Sequence, residues 1–216
     1  MQPLEVVFYL KTPLALGSPW IMFDSLLEYV KLREALGEKF FSLPSRAPLK
    51  KLDESLEIPL KKWRDIYIAS ASIFEPSDAG MYVFSYFKRG DFPFPSGRVR
   101  RGSGFFKDFY LKVVYTPVQR VRFYATGEPE EVRRLVSKVS SIGKERNIGF
   151  GFVKEVEVRE VGYEWGLVRG GEAMRPIPVR YLKYYEDAAY MPYKPPYWSG
   201  ESELCAVPFT RVELLE

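Results

Sequence analysis

Residues 143–151, GKERNIGFG, place two cations and an amide side chain among three glycines. Gly143, Gly149 and Gly151 leave backbone N–H groups uncovered by a Cβ. Lys144 and Arg146 add positive charge, and Asn147 can donate to a phosphate oxygen. Exposed N–H groups beside cations form an anion cradle, and a sugar–phosphate chain passes such a stretch without side-chain obstruction. The spacing is not a dinucleotide fingerprint, because these glycines end a helix instead of opening one. Nor is it a P-loop, since no G-K-[ST] follows four variable residues. A plain structural reading stands beside the binding one. In it, Gly143 caps the preceding helix, Gly149 and Gly151 flank a bulged strand start where a neighbouring backbone comes close, and the cations are solvated.

A second basic cluster lies at 88–107. Lys88, Arg89, Arg98, Arg100, Arg101 and Lys107 face a single anion, Asp91, and Phe92, Phe94, Phe105 and Phe106 are interleaved with them. Cations track a phosphate backbone while aromatic rings stack on unpaired bases. Four glycines make the segment bendable, so that it orders on binding. The alternative is a solvated loop whose phenylalanines tuck into the core.

Other chemistries are closed off. The chain has no histidine, which excludes a Ser-His-Asp triad and His-ligated zinc. General acids and bases are limited to Asp, Glu, Lys, Tyr and Cys. The single cysteine, Cys205, allows neither an internal disulfide nor a thiolate metal cluster. An enzyme can work under these limits, but catalysis becomes the less expected reading, and neither a metal nor a cofactor is expected. A net charge of +4 leans toward anionic partners. The N-terminus lacks the layout of a signal peptide, and no apolar run reaches the length of a membrane helix. Both point to the cytoplasm and away from membranes.

The elements that must position these residues follow from periodicity. LEVVFYL (4–10) reads as a buried strand. A helix begins at Asp24 or Ser25, with Ser25 and Glu28 at capping-box spacing, and stops at Gly37. IYIASASI (66–73) and MYVFSYFK (81–88), joined by the turn residues SDAG, read as a hairpin. FYLKVVY (109–115) and RVRFYAT (120–126) are strands. A second helix starts at Pro129, with Glu130 and Glu131 suiting its N-terminal dipole. Val132, Leu135, Val136 and Val139 form its apolar stripe, and FVKEVEVREV (152–161) alternates as a half-buried strand. The order is βαββαβ with an embellished middle, an α+β, ferredoxin-like (RRM-like) domain. Its core spans 1–161 with a thumb-like insertion at about 81–107. Residues 162–216 form an aromatic, proline-rich extension packed on the core, read as ordered loop with a short strand or two. Tyr190, Tyr193, Tyr197 and Trp198 in it suit an interface, or fold over the open face of the sheet.

With those elements placed, "IGKERNIGFGFV" resembles the signature of the CRISPR-associated RAMP superfamily, in which a glycine-flanked basic loop runs into a G-aromatic-G strand start. "FDSLLEYV", "YIASASIF", "IGKERNIGFG" and "MRPIPV" occur in an order similar to that of the small, five-prime-handle-capping (Cas five-type, Csf) subunit of type IV CRISPR-Cas effector complexes. The resemblance spans roughly residues 4–180. It implies a non-catalytic RNA-binding subunit that grips the 5′ end of a CRISPR RNA and contacts a repeated backbone RAMP subunit and a large subunit. Target DNA is then met through the complex, where the RNA reads sequence and protein holds backbone and shape. On this resemblance Lys144, Arg146 and Asn147 become glycine-loop contacts to RNA, and 81–107 becomes the protruding hairpin. Arg98, Arg100 and Arg101 would then touch RNA or a neighbouring subunit. Arg175 lies in a matching motif, as an RNA contact or as a structural arginine paired to a carboxylate. Some relatives cut precursor RNA with a histidine. Here a metal-independent endoribonuclease would need Tyr and Lys, and the remaining alternative is a pure assembly protein.

Overall fold

A computed structural model of the protein describes residues 1–42, 56–88, 102, 107–197 and 202–215. The fold is mixed α/β, with few helices and many antiparallel strands. In chain order the first part contains β1 (Gln2–Leu10), β2 (Leu14–Ala15), α1 (Phe23–Leu36), β3 (Lys62–Trp63), β4 (Ile66–Tyr67), β5 (Ile73–Glu75), β6 (Tyr82–Lys88), β7 (Phe109–Thr116), β8 (Arg120–Gly127), α2 (Pro129–Val136) and β9 (Val153–Glu160). The main sheet runs β5-β8-β1-β9, with every neighbouring pair antiparallel.

One face of this sheet is covered by both helices. Leu4, Val6 and Phe8 of β1 and Val121, Phe123 and Ala125 of β8 point to that side by period-two alternation. They meet Phe23, Leu26, Leu27 and Val30 of α1, spaced i, i+3, i+4, i+7, and Val132, Leu135 and Val136 of α2. Each large aliphatic side chain buried there contributes about 1.5–3 kcal/mol. Phe123 packs edge-on against Phe8 at 5.9 Å between ring centres and lies 5.2 Å from the Phe23 ring. The opposite face carries charge. Arg122 bridges Glu5 at 2.5 Å and Glu75 at 2.7 Å, and beside it Tyr124 meets the stacked pair Tyr163 and Trp165.

Two local readings of the sequence are corrected. The stretch 66–73 does not form a hairpin with 81–88. Ile66 and Ile68 are drawn into a second apolar cluster, and the chain then runs along β8, where Ser70 donates to the Tyr124 carbonyl at 2.7 Å before β5 pairs in register. β6 pairs instead with β7, in a separate sheet of order β2-β7-β6. No capping box opens α1 either. Met22 is its N-cap, without a side-chain bond, and the helix starts at Phe23, so Ser25 lies inside the first turn instead of capping it. Gly37 does close α1, its N–H donating to the Arg33 carbonyl.

From 162 onward the chain has more strand than the proline-rich composition suggests: β10 (Val168–Arg169), β11 (Glu172–Ala173), β12 (Ile177–Pro178), β13 (Leu182–Tyr185), β14 (Ala188–Met191), β15 (Glu203–Ala206) and β16 (Val212–Leu214). These short ladders enclose Leu167, Ala173, Ile177, Leu182, Ala206 and Val212 around Ile66 and Ile68. The prolines stand at strand ends and turns, where a missing N–H breaks no ladder bond.

Candidate nucleic-acid interface

The glycine-rich stretch is a closed loop whose base is a clasp of backbone bonds. The Ile142 N–H donates to the Gly151 carbonyl at 2.9 Å, and Ser141 bridges Phe152 just outside. Gly151 lies at φ +66°, and a Cβ there would overlap the Ile142 carbonyl oxygen. Its bare backbone is therefore used by the chain itself, which closes the loop. Two further bonds dock the loop on the segment after β1, from Gly151 N–H to the Pro13 carbonyl and from Lys144 N–H to the Ala15 carbonyl, each 2.8 Å. Gly143 packs against that same Ala15 carbonyl. It is not a helix cap, since α2 ends at Val136 and is capped by Ser137.

Between the clasped ends the backbone turns sharply. Glu145 is left-handed at φ 54°, Arg146–Ile148 form a single 3-10 turn, and Gly149 follows at φ +102°. A Cβ at Gly149 would meet nothing within 4 Å, so this glycine faces open space. Lys144, Asn147 and Ile148 are exposed and Arg146 is half-buried. The Arg146 guanidinium lies 4.9 Å from the centre of the Tyr29 ring. Among the described residues neither Lys144 nor Arg146 forms an ion pair with a carboxylate.

The loop forms one wall of a groove of about 870 Å³. Gly143, Lys144 and Arg146 face Leu16, Gly17, Trp20 and Ile21 from the segment before α1, and Tyr29 lies on the helix itself. Met191, Pro192 and Tyr197 of the C-terminal extension close the far end. The walls are mainly apolar, with Lys144 and Arg146 at the side formed by the loop. A volume of this size matches typical ligand clefts.

The hairpin β6–β7 projects beside the loop. Phe150 joins them, its ring 5.6 Å from Tyr115 and 6.0 Å from Phe84, and Tyr82 stacks on Tyr115 at 5.8 Å. Aromatic and aliphatic side chains are exposed on both faces of the ribbon, Phe84 and Tyr86 on one, Val83, Phe87 and Tyr110 on the other. Lys107 is exposed just before β7 begins, at the end of the ribbon away from β2. Lys88 ends β6, paired with Phe109. Arg89, Arg98, Arg100 and Arg101, with Phe92, Phe94, Phe105 and Phe106, lie outside the described residues, as does Trp198.

Arg175 requires a correction. It is fully buried, with no exposed surface to offer a polynucleotide. Its guanidinium faces Asp24 at 3.0 Å and donates to the carbonyls of Tyr67, Ala69 and Tyr193. The Tyr197 hydroxyl lies 2.8 Å from Arg175 and 2.9 Å from Asp24. Burial works against the charge of Arg175, but Asp24 outweighs it and raises the pKa. Burial also pushes the Tyr197 hydroxyl well above its ordinary value. The structural reading of this arginine is the one that the coordinates bear. It pins the extension to the first turn of α1 behind the groove.

Sequence reading missed Gly17, Trp20 and Tyr29. Nothing in residue spacing joins position 17 to position 144, and the link is made by the Ala15–Lys144 bridge. No helix among the described residues is long and apolar enough to cross a membrane, and among them no cluster of metal-ligating side chains occurs. A family model described as CRISPR type IV associated protein Csf3 matches residues 95–208. No curated protein matches the chain.

Proposed function

The chain belongs to the family of CRISPR type IV associated protein Csf3, and from that membership we propose that it is a non-catalytic, RNA-binding subunit of a cytoplasmic type IV CRISPR-Cas complex, capping the 5′ handle of the CRISPR RNA. Family membership implies a subunit of such a complex; the handle-capping role is our reading. The observation that carries it is the loop 143–151. Among the described residues Lys144 and Arg146 pair with no carboxylate, and they stand beside the open backbone at Gly149 and at the edge of a groove. Phosphate oxygens supply the missing counter-charge, and bases find apolar walls.

The order of the main sheet supports a ferredoxin-like core. The edge strands β5 and β9 flank a central antiparallel β8–β1 pair, and α1 and α2 share one face. In this reading β6–β7 is the thumb-like insertion of that core. Its two-sided apolar surface suits the backbone and large subunits, and target DNA is met through the assembled complex.

Binding to single-stranded repeat RNA, followed by fluorescence anisotropy across a salt series, tests the proposal. Replacing Lys144 and Arg146 together by alanine is expected to weaken all sequences alike. It should also flatten the slope of log K against log salt by about 1.4, for two phosphate contacts on a single strand. Unchanged affinity would remove the loop from the interface. Incubation of the same RNA with the protein in EDTA checks the non-catalytic part, since specific cleavage products would make it a metal-independent nuclease.

A further inference from the structure

The groove contains a glycine that the backbone does not explain. Gly17 is exposed, and its φ lies outside the left-handed region, so an L-residue could adopt its conformation. Space explains it instead. A Cβ at Gly17 would overlap Lys144 Cε and stand 2.5 Å from both Cδ and Nζ. The Lys144 stem therefore crosses from the glycine loop to the segment before α1 and rests on the bare face of Gly17. The crossing starts from a fixed point, because the Lys144 backbone is held by the Ala15 carbonyl, two residues before Gly17. A lysine side chain in solvent samples many rotamers, and fixing it costs entropy at the moment of binding. A seat that narrows those rotamers beforehand lowers that cost.

We propose that Gly17 is a positioning residue for polynucleotide binding, whose missing side chain seats the Lys144 ammonium at the edge of the groove, where a phosphate is met. This rests on the reading of the loop as an RNA contact. Gly17 touches no RNA in this account and acts through Lys144. Alanine at 17 meets the mobile end of a lysine, not backbone, so the lysine swings away and the fold is kept.

The test is a double-mutant cycle on the full chain with 3′-labelled single-stranded RNA of mixed sequence. The proteins are wild type, Gly17→Ala, Lys144→Ala and the double variant, with Gly17→Ser as a second substitution at the seat. Gly17→Ala is expected to weaken binding about fivefold and to flatten the salt slope by about 0.7, the value for one lost phosphate contact on a single strand. Lys144→Ala should do the same, and the double variant should be no weaker than Lys144→Ala alone. If Lys144→Ala weakens binding while Gly17→Ala and Gly17→Ser do not, the seat is refuted and the RNA reading of the loop stands. A Gly17→Ala loss that persists undiminished in the Lys144→Ala background also refutes it, since the effect would then not pass through the lysine. If Lys144→Ala itself binds as wild type, the loop reading falls and the seat falls with it.

Discussion

Asp24→Asn isolates the charge that holds the C-terminal extension to α1. Asp24 and Arg175 have fully buried side chains 3.0 Å apart. The substitution keeps shape and one acceptor oxygen, but it leaves the guanidinium facing neutral groups: three backbone carbonyls, the Tyr197 hydroxyl and an amide. Breaking a buried pair by removing one partner costs about 3–5 kcal/mol, because the remaining charge is left uncompensated. For a chain of this size that corresponds to a fall in melting temperature of roughly 6–20 °C. Urea unfolding followed by tryptophan fluorescence measures it directly, as a lower midpoint at unchanged slope. Arg175→Met is expected to cost at least as much, since it leaves the Asp24 carboxylate unpaired and strips three carbonyls of their donor. The reasoning is refuted if Asp24→Asn costs less than about 1 kcal/mol, for then the carbonyls alone balance the arginine.

Three further outcomes follow from groups already described or packed beside them. Burial works against charge on Asp65, but hydrogen bonds from Lys194, Tyr193 and Tyr181 outweigh it and hold its carboxyl at about 2, below the ordinary 3.8. A carboxyl depressed in the folded state contributes stability above its unfolded value and loses it as pH falls through the folded one. The stability gap between wild type and Asp65→Asn should therefore shrink from about pH 4 to about pH 2 in urea titrations, and a gap constant with pH would contradict the network. Burial pushes the Cys205 thiol up to about 12, so at pH 8 it should resist a thiol reagent in the native state and react fully in urea; rapid native labelling would contradict that. Gly151→Ala should cost at least about 2 kcal/mol, combining overlap with the Ile142 carbonyl and a left-handed φ, whereas Gly149→Ala, with free space around it, should cost about 1 kcal/mol; equal melting temperatures would rule out the clasp.

Where short-range physics sets the outcome, the sequence was legible. The β-branched, aromatic run 4–10, the strand 120–126, the alternation in 152–161 and the 3.6-residue stripe of α2 read directly as the sheet and a covering helix. The partners of 66–73 and 81–88 were not legible, because both are apolar runs and pairing is decided by distant residues such as Tyr124 and Tyr115. The seven short strands after 162 were hidden for a related reason. Each is only two to four residues long, below the length at which alternation can be seen, and their ladders join residues as far apart as Ile177 and Ala206. At the site, the loop's cations were visible as a cluster, but the opposite wall was not, since Gly17, Trp20 and Tyr29 precede it by more than a hundred positions. Arg175 shows the limit of motif reasoning: a charged residue in a suggestive segment can be buried and paired with an internal carboxylate.

The clasp at Ile142 and Gly151, with the Lys144–Ala15 bond beside it, leaves the tip at residues 145–149 with backbone bonds of its own only. Because the bonds that shut it lie at its root and Ser141 bridges Phe152 beyond them, changes in length or charge at the tip stop there. They do not reach the pairing of β9 with β1. Such a loop is a natural exchange point. Tips grafted from other chains onto this root are expected to leave the register of the sheet beneath unchanged.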